Sequence, residues 1–453
     1  MKTLFISVNN ETEPYPVAPI GAAYLAKALR DNGHEAIILD LCFVKDPFSS
    51  IDSAIKESHP DIIGISIRNI DNLTFNKSRF YLPYIRSLVD FLKDISSVPI
   101  VVGGSGFSIF PEEVLRYLDL DLGVVGEGEN AIMRIADALE TGNDIRAIPN
   151  LAYTKDGIFT LNSMQYADIN QHPERALIDN RKYLERGGMG NIQSKRGCPF
   201  KCNYCTYPNI EGTRLRLKEP GAVVDELKGM VKDFGIDYAF FVDDIFNFPQ
   251  EHSMAICEAM IKDNLKIDWT CFCTPLGMTT ELAGLMKTAG CKGVEFGSDA
   301  GSETTLKGLG KPFTPEDIRA ASEVCTSVDL PDAHYIIIGG PCEDPVTMER
   351  TLTLFDDINP TAVIAMTGVR IYPCTNLQKR AVEDNIIEED RGLLEPVFYI
   401  SPHIGMKDIF ERLSRHSALK NNWIVPSLDI RCDTELLSVL RRMGKRGPLW
   451  DML

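Results

Sequence analysis

LFISV at residues 4–8, GAAYLAKALRDNG at 21–33 and AIILDL at 36–41 read as strand, helix and strand. The outer runs are short and apolar. Between them Ala22, Leu25, Ala26 and Leu29 recur on one helical face, and Gly33 supplies the stop. Outward from this unit, DIIGISI (61–67), PIVVGG (99–104) and LGVVGEGE (122–129) each repeat a buried strand followed by a polar or glycine-rich turn. Residues 1–145 are therefore expected to form a mostly parallel sheet covered by helices, with ligands outside the carboxyl ends of the strands.

After residue 145 the pattern loosens around Pro149, Pro173 and the Gly187-Gly188-x-Gly190 cluster, which predicts a linker over 146–190 with a small hairpin at Asp156-Gly157. A second alternation follows: IQSKRG (192–197), YAFFVDD (238–244), IDWTCFC (267–273), GVEFGSD (293–299), AHYIIIGG (333–340) and AVIAMTGVRIYP (362–373), separated by helical stretches. Six such strands predict a barrel or part of one over 191–385, with chemistry where the strands end. Residues 386–453 are irregular and end in GKRGPLWDML, where Trp450 is either a lid over the barrel mouth or part of a solvated tail.

Length and composition bound the function. A chain of 453 residues holds several cores, and 44% apolar with 25% charged residues is a globular balance. The 47 basic against 64 acidic side chains leave a net charge of −17, which repels polyphosphate, so no nucleic-acid partner is expected. The short apolar run at the N-terminus is unlike a signal peptide, and no stretch is long and apolar enough to predict a membrane span. With twelve cysteines, these features place the expected thiols in a reducing compartment, the cytoplasm.

Three of those thiols carry the chemistry. In KRGCPFKCNYCTYP (195–208), Cys198, Cys202 and Cys205 crowd a loop just after a strand. A four-iron four-sulfur (4Fe-4S) cluster normally takes four Cys ligands, so three leave one iron open to a non-protein ligand. Zinc is the rival reading, but it wants a fourth Cys or His at a regular spacing and none lies nearby. Cys271 and Cys273 share one strand face and read as barrel packing; Cys42, Cys257, Cys291, Cys325, Cys342 and Cys432 are isolated and read as core or incidental.

The Cys-x3-Cys-x2-Cys pattern, with aromatic Tyr204 before its last cysteine, resembles the loop of the radical S-adenosylmethionine (radical SAM) superfamily. The resemblance implies that the open iron is chelated by SAM, which is split reductively to a 5′-deoxyadenosyl radical. Further segments resemble the family in the same order. FVDDIF (241–246) implies that Asp243 or Asp244 accepts hydrogen bonds from the SAM amine, the alternative being a helix N-cap. GVEFGSDAGSETTLKGLGK (293–311) implies that Glu295 and Ser298 meet the ribose or methionine part. YIIIGGP (335–341) implies that Ile337 and Gly339 pack the adenine, and Tyr335 stands where a glycine is usual. VRIYPCTNL (369–377) puts Cys374 where glycine is usual, either facing substrate as a catalytic thiol or as a small apolar filler.

The first domain, through PIGAAYLAKALRDNGHEAIILD, VVGGSGFSIFPEEVL and VVGEGENAI, resembles the cobalamin-binding domain that precedes many radical SAM modules. Cobalamin contacts carry over to Ser66, Gly103, Gly104, Gly126, Glu127 and Gly128. The Asp-x-His-x-x-Gly motif for a lower axial histidine is absent, and His34 and His59 read as surface or helix-end residues. A Rossmann-like domain that has lost cobalamin, or that holds another ligand, is the alternative.

The fold expected from both resemblances is α/β: a Rossmann-like doubly wound cobalamin-binding domain, then a partial (β/α)6 TIM-type barrel and a small C-terminal region over 386–453 that covers the active site. The implied reaction is methylation of an unactivated carbon through the deoxyadenosyl radical and methylcobalamin, on a small-molecule or peptide substrate, with an electron donor such as flavodoxin or ferredoxin. The alternatives are a cobalamin-assisted rearrangement or ring closure, and a non-catalytic cobalamin or iron–sulfur sensor. A methylthiotransferase is disfavoured because Cys42 alone precedes residue 198.

Overall fold

The computed structural model describes residues 1–428, 430–431, 439–441 and 443–452; Cys432 lies outside the described residues. The chain divides into two compact units, one of 1–72, 79–180 and 209–211, the other of 73–78, 181–208 and 212–453.

In the first unit, β1 (Lys2–Ser7), β2 (Glu35–Asp40), β3 (Ile62–Ser66), β4 (Ile100–Gly103) and β5 (Leu122–Val124) are parallel. The sheet continues through β6 (Leu151–Lys155) and β7 (Ile158–Leu161), both antiparallel to their neighbours, in the order β2-β1-β3-β4-β5-β6-β7. The order reverses between β1 and β3, the switch point at which doubly wound sheets open a ligand crevice. The Ile20–Asp31 helix ends two residues before Gly33, whose φ of +83° suits glycine. The expected hairpin at Asp156-Gly157 is present, with both residues in the left-handed region a tight two-residue turn needs. It is no linker element, however: β6 pairs with β5, so this stretch extends the first sheet.

In the second unit, β8 (Gly190–Ile192) is followed by the antiparallel pair β9 (Lys195–Arg196) and β10 (Arg216–Leu217). Then come β11 (Tyr238–Phe241), β12 (Asp268–Cys273), β13 (Cys291–Asp299), β14 (Asp332–Ile338) and β15 (Ala362–Thr367). The pair β16 (Val369–Arg370) and β17 (Phe398–Tyr399) precedes β18 (Trp423–Ile424). The main sheet is all parallel, ordered β18-β15-β14-β13-β12-β11-β8, and does not close into a ring. Two expected strands are broken: 192–197 divides between β8 and β9, and 362–373 bends at Gly368, φ +72°. The region after 386 is not separate from this sheet, because β18 forms its far edge.

Side chains alternate across each strand. Trp269, Cys271 and Cys273 of β12 join Val294 and Phe296 of β13 in the core under the helices, together with Cys257, Cys291 and Cys325. These cysteines are packing residues, as expected. On the opposite face Trp450 packs with Ala333, Ile364 and Ile424 and lies against Gly293, where a Cβ would collide with its ring. Its indole N–H donates to Glu295 Oε1 at 3.0 Å. Trp450 is thus neither a lid nor a solvated tail, but part of the sheet's inner face.

Burial pushes Glu295 up to about 7, although hydrogen bonds from Trp450 and Tyr335 oppose the shift. Glu343, fully buried behind the turn after β14, accepts from the Gly339 and Gly340 N–H groups and is likewise raised by burial to about 7. Between pH 4.5 and 7 the folded chain keeps these protons while the unfolded chain has released them, so stability falls as pH rises through that window. At about 1.4 kcal/mol per pKa unit, each group contributes a loss of about 3 kcal/mol. Glu295→Gln and Glu343→Gln should each flatten the decline; unfolding midpoints at pH 5 and pH 8 measure it, and an unaltered pH dependence in both variants would contradict it.

Candidate functional site

The cysteine loop leaves β9 through Gly197, whose φ of +87° and approach to the Arg214 carbonyl leave no room for a side chain. The Cys198 N–H donates to the Gly212 carbonyl at 3.1 Å, and the Cys205 N–H to Cys202 O at 3.2 Å. Cys198 is buried; Cys202 and Cys205 are half-buried. Burial raises all three thiols, Cys198 to about 11 and Cys205 to about 12. Such thiols stay protonated at neutral pH until a metal displaces the proton. The donor set is three soft sulfurs, which suits zinc or an iron–sulfur cluster. Tetrahedral zinc draws its sulfurs to about 3.8 Å from one another. Among the described residues, the three such side chains whose donor atoms gather within 4.8 Å are His34, Asp137 and Glu140, not the cysteines. Three sulfurs, with no fourth Cys or His at a regular spacing near them in the sequence, fit a 4Fe-4S cluster that leaves one iron open.

Backbone and side-chain bonds hold this loop from the far side of the sheet. Asn203 N–H donates to Leu309 O at 2.8 Å, its Nδ2 to Gly308 O at 2.9 Å, and Leu377 N–H donates to Asn203 O at 2.8 Å. The Tyr204 hydroxyl donates to Asp299 Oδ2 at 2.6 Å, and Lys311 Nζ lies 2.9 Å from the same oxygen. The positive charge of Lys311 lowers the Cys202 thiol's pKa against the effect of burial. Asp299 and Lys311 are the residues that sequence reasoning missed. Their signal lay in the 293–311 segment, in a lysine set between Gly310 and Pro312 with an acid twelve residues before it.

The residues expected around SAM separate into different roles. Asp243 is buried and its oxygens are taken: Oδ1 accepts from the Ser194 N–H at 2.7 Å and the Lys195 N–H at 3.2 Å, Oδ2 from the Ser194 hydroxyl at 2.5 Å. It braces β8 to β11. Asp244 is half-buried and raises the pKa of Cys198 and Cys205, so it lies beside the cysteine loop. Neither is a helix N-cap in this structure, since the next helix, Gln250–Lys262, is capped at Pro249. Glu295 faces inward but holds Trp450. Ser298 sits on the core side: its hydroxyl is 2.7 Å from His334 Nδ1, whose Nε2 is 3.1 Å from Asp332, all of them buried.

Ile337 is half-buried on the inner face of β14, and Gly339 turns at φ +92° with its N–H given to Glu343. Cys374 is exposed, not a core filler, and takes φ +60°. The left-handed backbone explains why glycine is usual there. Its N–H donates to Gln378 Oε1 at 3.0 Å, at the turn before Leu377.

In the first unit, Ser66 ends β3 in register with Ser7 and Gly103. Gly104 follows at φ +101°, where a Cβ would strike the Ile67 carbonyl. Gly126 (φ +72°) donates its N–H to Ser108 Oγ at 2.9 Å, and Gly128 caps the Glu129–Thr141 helix close to Leu25. Glu127 accepts from the Ala167 N–H at 2.7 Å, tying down the segment after β7. These positions gather at the carboxyl ends of β3, β4 and β5. At Gly103 a Cβ would meet Val124 O at 3.4 Å, in van der Waals contact and without a clash. An uncharged glycine edge over helix N-termini fits the amides and phosphate of a corrin. His34 is buried, not on the surface, with Asp137 3.0 Å from Nε2 and the chain's amino group 3.1 Å from Nδ1. His59 is an exposed helix-end residue as expected.

A model of the B12 binding domain matches residues 6–136, and one of the radical SAM superfamily matches 192–355. An uncharacterized methyltransferase of Pyrococcus horikoshii is 28% identical over 425 residues, covering 87% of this chain and 90% of its own. The tryptophan 2-C-methyltransferase of Streptomyces laurentii is 25% identical over 444 residues, covering 83% and 73%. The solved structure of TsrM from Kitasatospora setae, a radical SAM methyltransferase with cobalamin and a [4Fe-4S] cluster bound, has the same fold, with a TM-score of 0.89 over 99% of this chain and 96% of that one at 23% identity. The glycine-edged first unit and the three-thiol loop of the second are thus the two halves of one domain pair, and the chain belongs to the cobalamin-binding radical SAM enzymes.

Proposed function

We propose that the enzyme is a cobalamin-dependent radical SAM methyltransferase acting on an unactivated carbon. The observation that carries the reading is the three-sulfur loop with no fourth cysteine, in a chain whose first unit ends its parallel strands in a glycine edge. When bound, the cluster supplies the electron that splits SAM, and cobalamin supplies the methyl group.

The chain's own residues do the rest. Cys198, Cys202 and Cys205 hold the cluster; Tyr204, Asn203 and Leu377 keep the loop in place before anything binds. Asp244 is the acid placed for the SAM amine, because Asp243 is consumed by the Ser194 and Lys195 backbone. Ile337 offers the adenine an apolar face on β14, and Glu343 fixes the Gly339-Gly340 turn beside it. Ser66, Gly103, Gly104, Gly126 and Gly128 form the edge that receives cobalamin. The electron comes from a carrier of the flavodoxin or ferredoxin class, in the cytoplasm. No helix among the described residues is long and apolar enough to cross a membrane.

Anaerobic turnover should release both 5′-deoxyadenosine and S-adenosylhomocysteine and add one methyl unit to the product. Release of 5′-deoxyadenosine with no gain in product mass would assign a rearrangement instead, and no SAM turnover at all would make the protein a sensor. Replacing Cys198, Cys202 and Cys205 by Ala should abolish iron loading and SAM cleavage together. At the other end of the chain, Gly103→Leu should fold, since its Cβ would come no closer than 3.4 Å to any atom beyond its chain neighbours. It should retain cobalamin at least tenfold more weakly with unchanged iron content; equal retention of the corrin chromophore would remove Gly103 from that site.

A further inference from the structure

The anchoring of the cysteine loop does not by itself require Lys311. A clamp for Tyr204 needs only Asp299, which already accepts the phenol hydroxyl at 2.6 Å. Yet a lysine is brought into the same enclosure, with its side chain 8% exposed against 6% for Asp299. Its Nζ lies over the rings of Tyr204 and Phe313, 5.8 and 5.3 Å from their centroids, which hold a cation without neutralising it. Burying an ammonium is unfavourable unless something gains from its charge. The lysine sits against the loop that carries the sulfurs: its Nζ is 3.5 Å from the Tyr204 hydroxyl, and Gly310 just before it packs on the Lys201 carbonyl and the Asn203 side chain, on either side of Cys202. A buried positive charge therefore stands beside the cysteine loop.

We infer that Lys311 is a positioning residue that sets the reduction potential of the cluster, its buried positive charge favouring the state that has gained an electron. The inference rests on the reading of Cys198, Cys202 and Cys205 as cluster ligands. The step is a one-electron reduction: an external donor of the flavodoxin or ferredoxin class is oxidised, [4Fe-4S]2+ becomes [4Fe-4S]+, and no proton or covalent bond is exchanged. A cation buried beside the ligand loop stabilises the reduced cluster, because the net charge around a cluster is one of the levers by which a protein moves its potential. Asp299 works in the opposite sense while holding the lysine in place.

An EPR-monitored redox titration of the anaerobically reconstituted full-length chain without SAM, with dithionite as reductant, tests this in variants of opposite sign. Lys311→Met should lower the midpoint enough to change the reduced-to-oxidised ratio at fixed potential at least tenfold, or 59 mV for one electron. Lys311→Arg should stay within threefold of the wild type. Asp299→Asn should raise the midpoint, a direction that loosening of the loop does not predict. If Lys311→Met loads no iron, Asp299→Asn decides: a raised midpoint supports the inference, and an unchanged or lowered one overturns it. A fully loaded Lys311→Met cluster with the wild-type midpoint also overturns it. A wild-type chain that holds no four-iron cluster refutes the ligand reading, and the inference falls with it.

Discussion

The structure depends on keeping three thiols together and poorly solvated on a loop that a folding chain would otherwise collapse. Such a loop is not stabilised by its own contacts. It is held by what lies opposite: the Asp299 carboxylate, which takes up Tyr204 and Lys311, and the Asn203 amide and carbonyl, which join residues 308–309 to Leu377. Preorganisation of this kind moves the entropy of ordering the loop into the folding step, so that binding of a metal cluster does not have to supply it.

The parallel sheet makes this possible because it delivers consecutive strand ends to one edge. β13 ends at Asp299 and β15 leads through β16 toward residues 376–377, while β9 feeds the cysteine loop. Side-chain alternation then divides labour along each strand. On β13, Val294, Phe296 and Ser298 face the core under the helices, and Glu295 faces inward to Trp450. The first unit uses the same principle with other residues. There the strand ends carry glycines in place of thiols, giving a surface of backbone donors with the order reversal of β1 and β3 alongside.

Much of this was legible in the sequence. Strand runs with period-two or fully apolar character located the parallel sheets, and the Cys-x3-Cys-x2-Cys spacing located the loop because few other chemistries need three thiols so close. What could not be read was which acid does what. Asp243 and Asp244 are adjacent and chemically identical; only the position of the Ser194 and Lys195 N–H groups makes one a brace and leaves the other beside the loop. Nor does the sequence show that strand alternation turns Ser298 to His334. Trp450 was misread because its partner, Glu295, lies 155 residues away in sequence. Segment 146–190 lacked a strong apolar pattern because β7 is an edge strand, with Ile158 and Leu161 exposed.

The central claim, a four-iron cluster with one iron left for SAM, is tested most directly by metal analysis and low-temperature EPR of the reduced, oxygen-free protein before and after SAM is added. The account predicts about four irons per chain and a [4Fe-4S]+ signal whose g-values shift when SAM binds. Zinc at the thiols, or a cluster signal that SAM leaves unchanged, would contradict it.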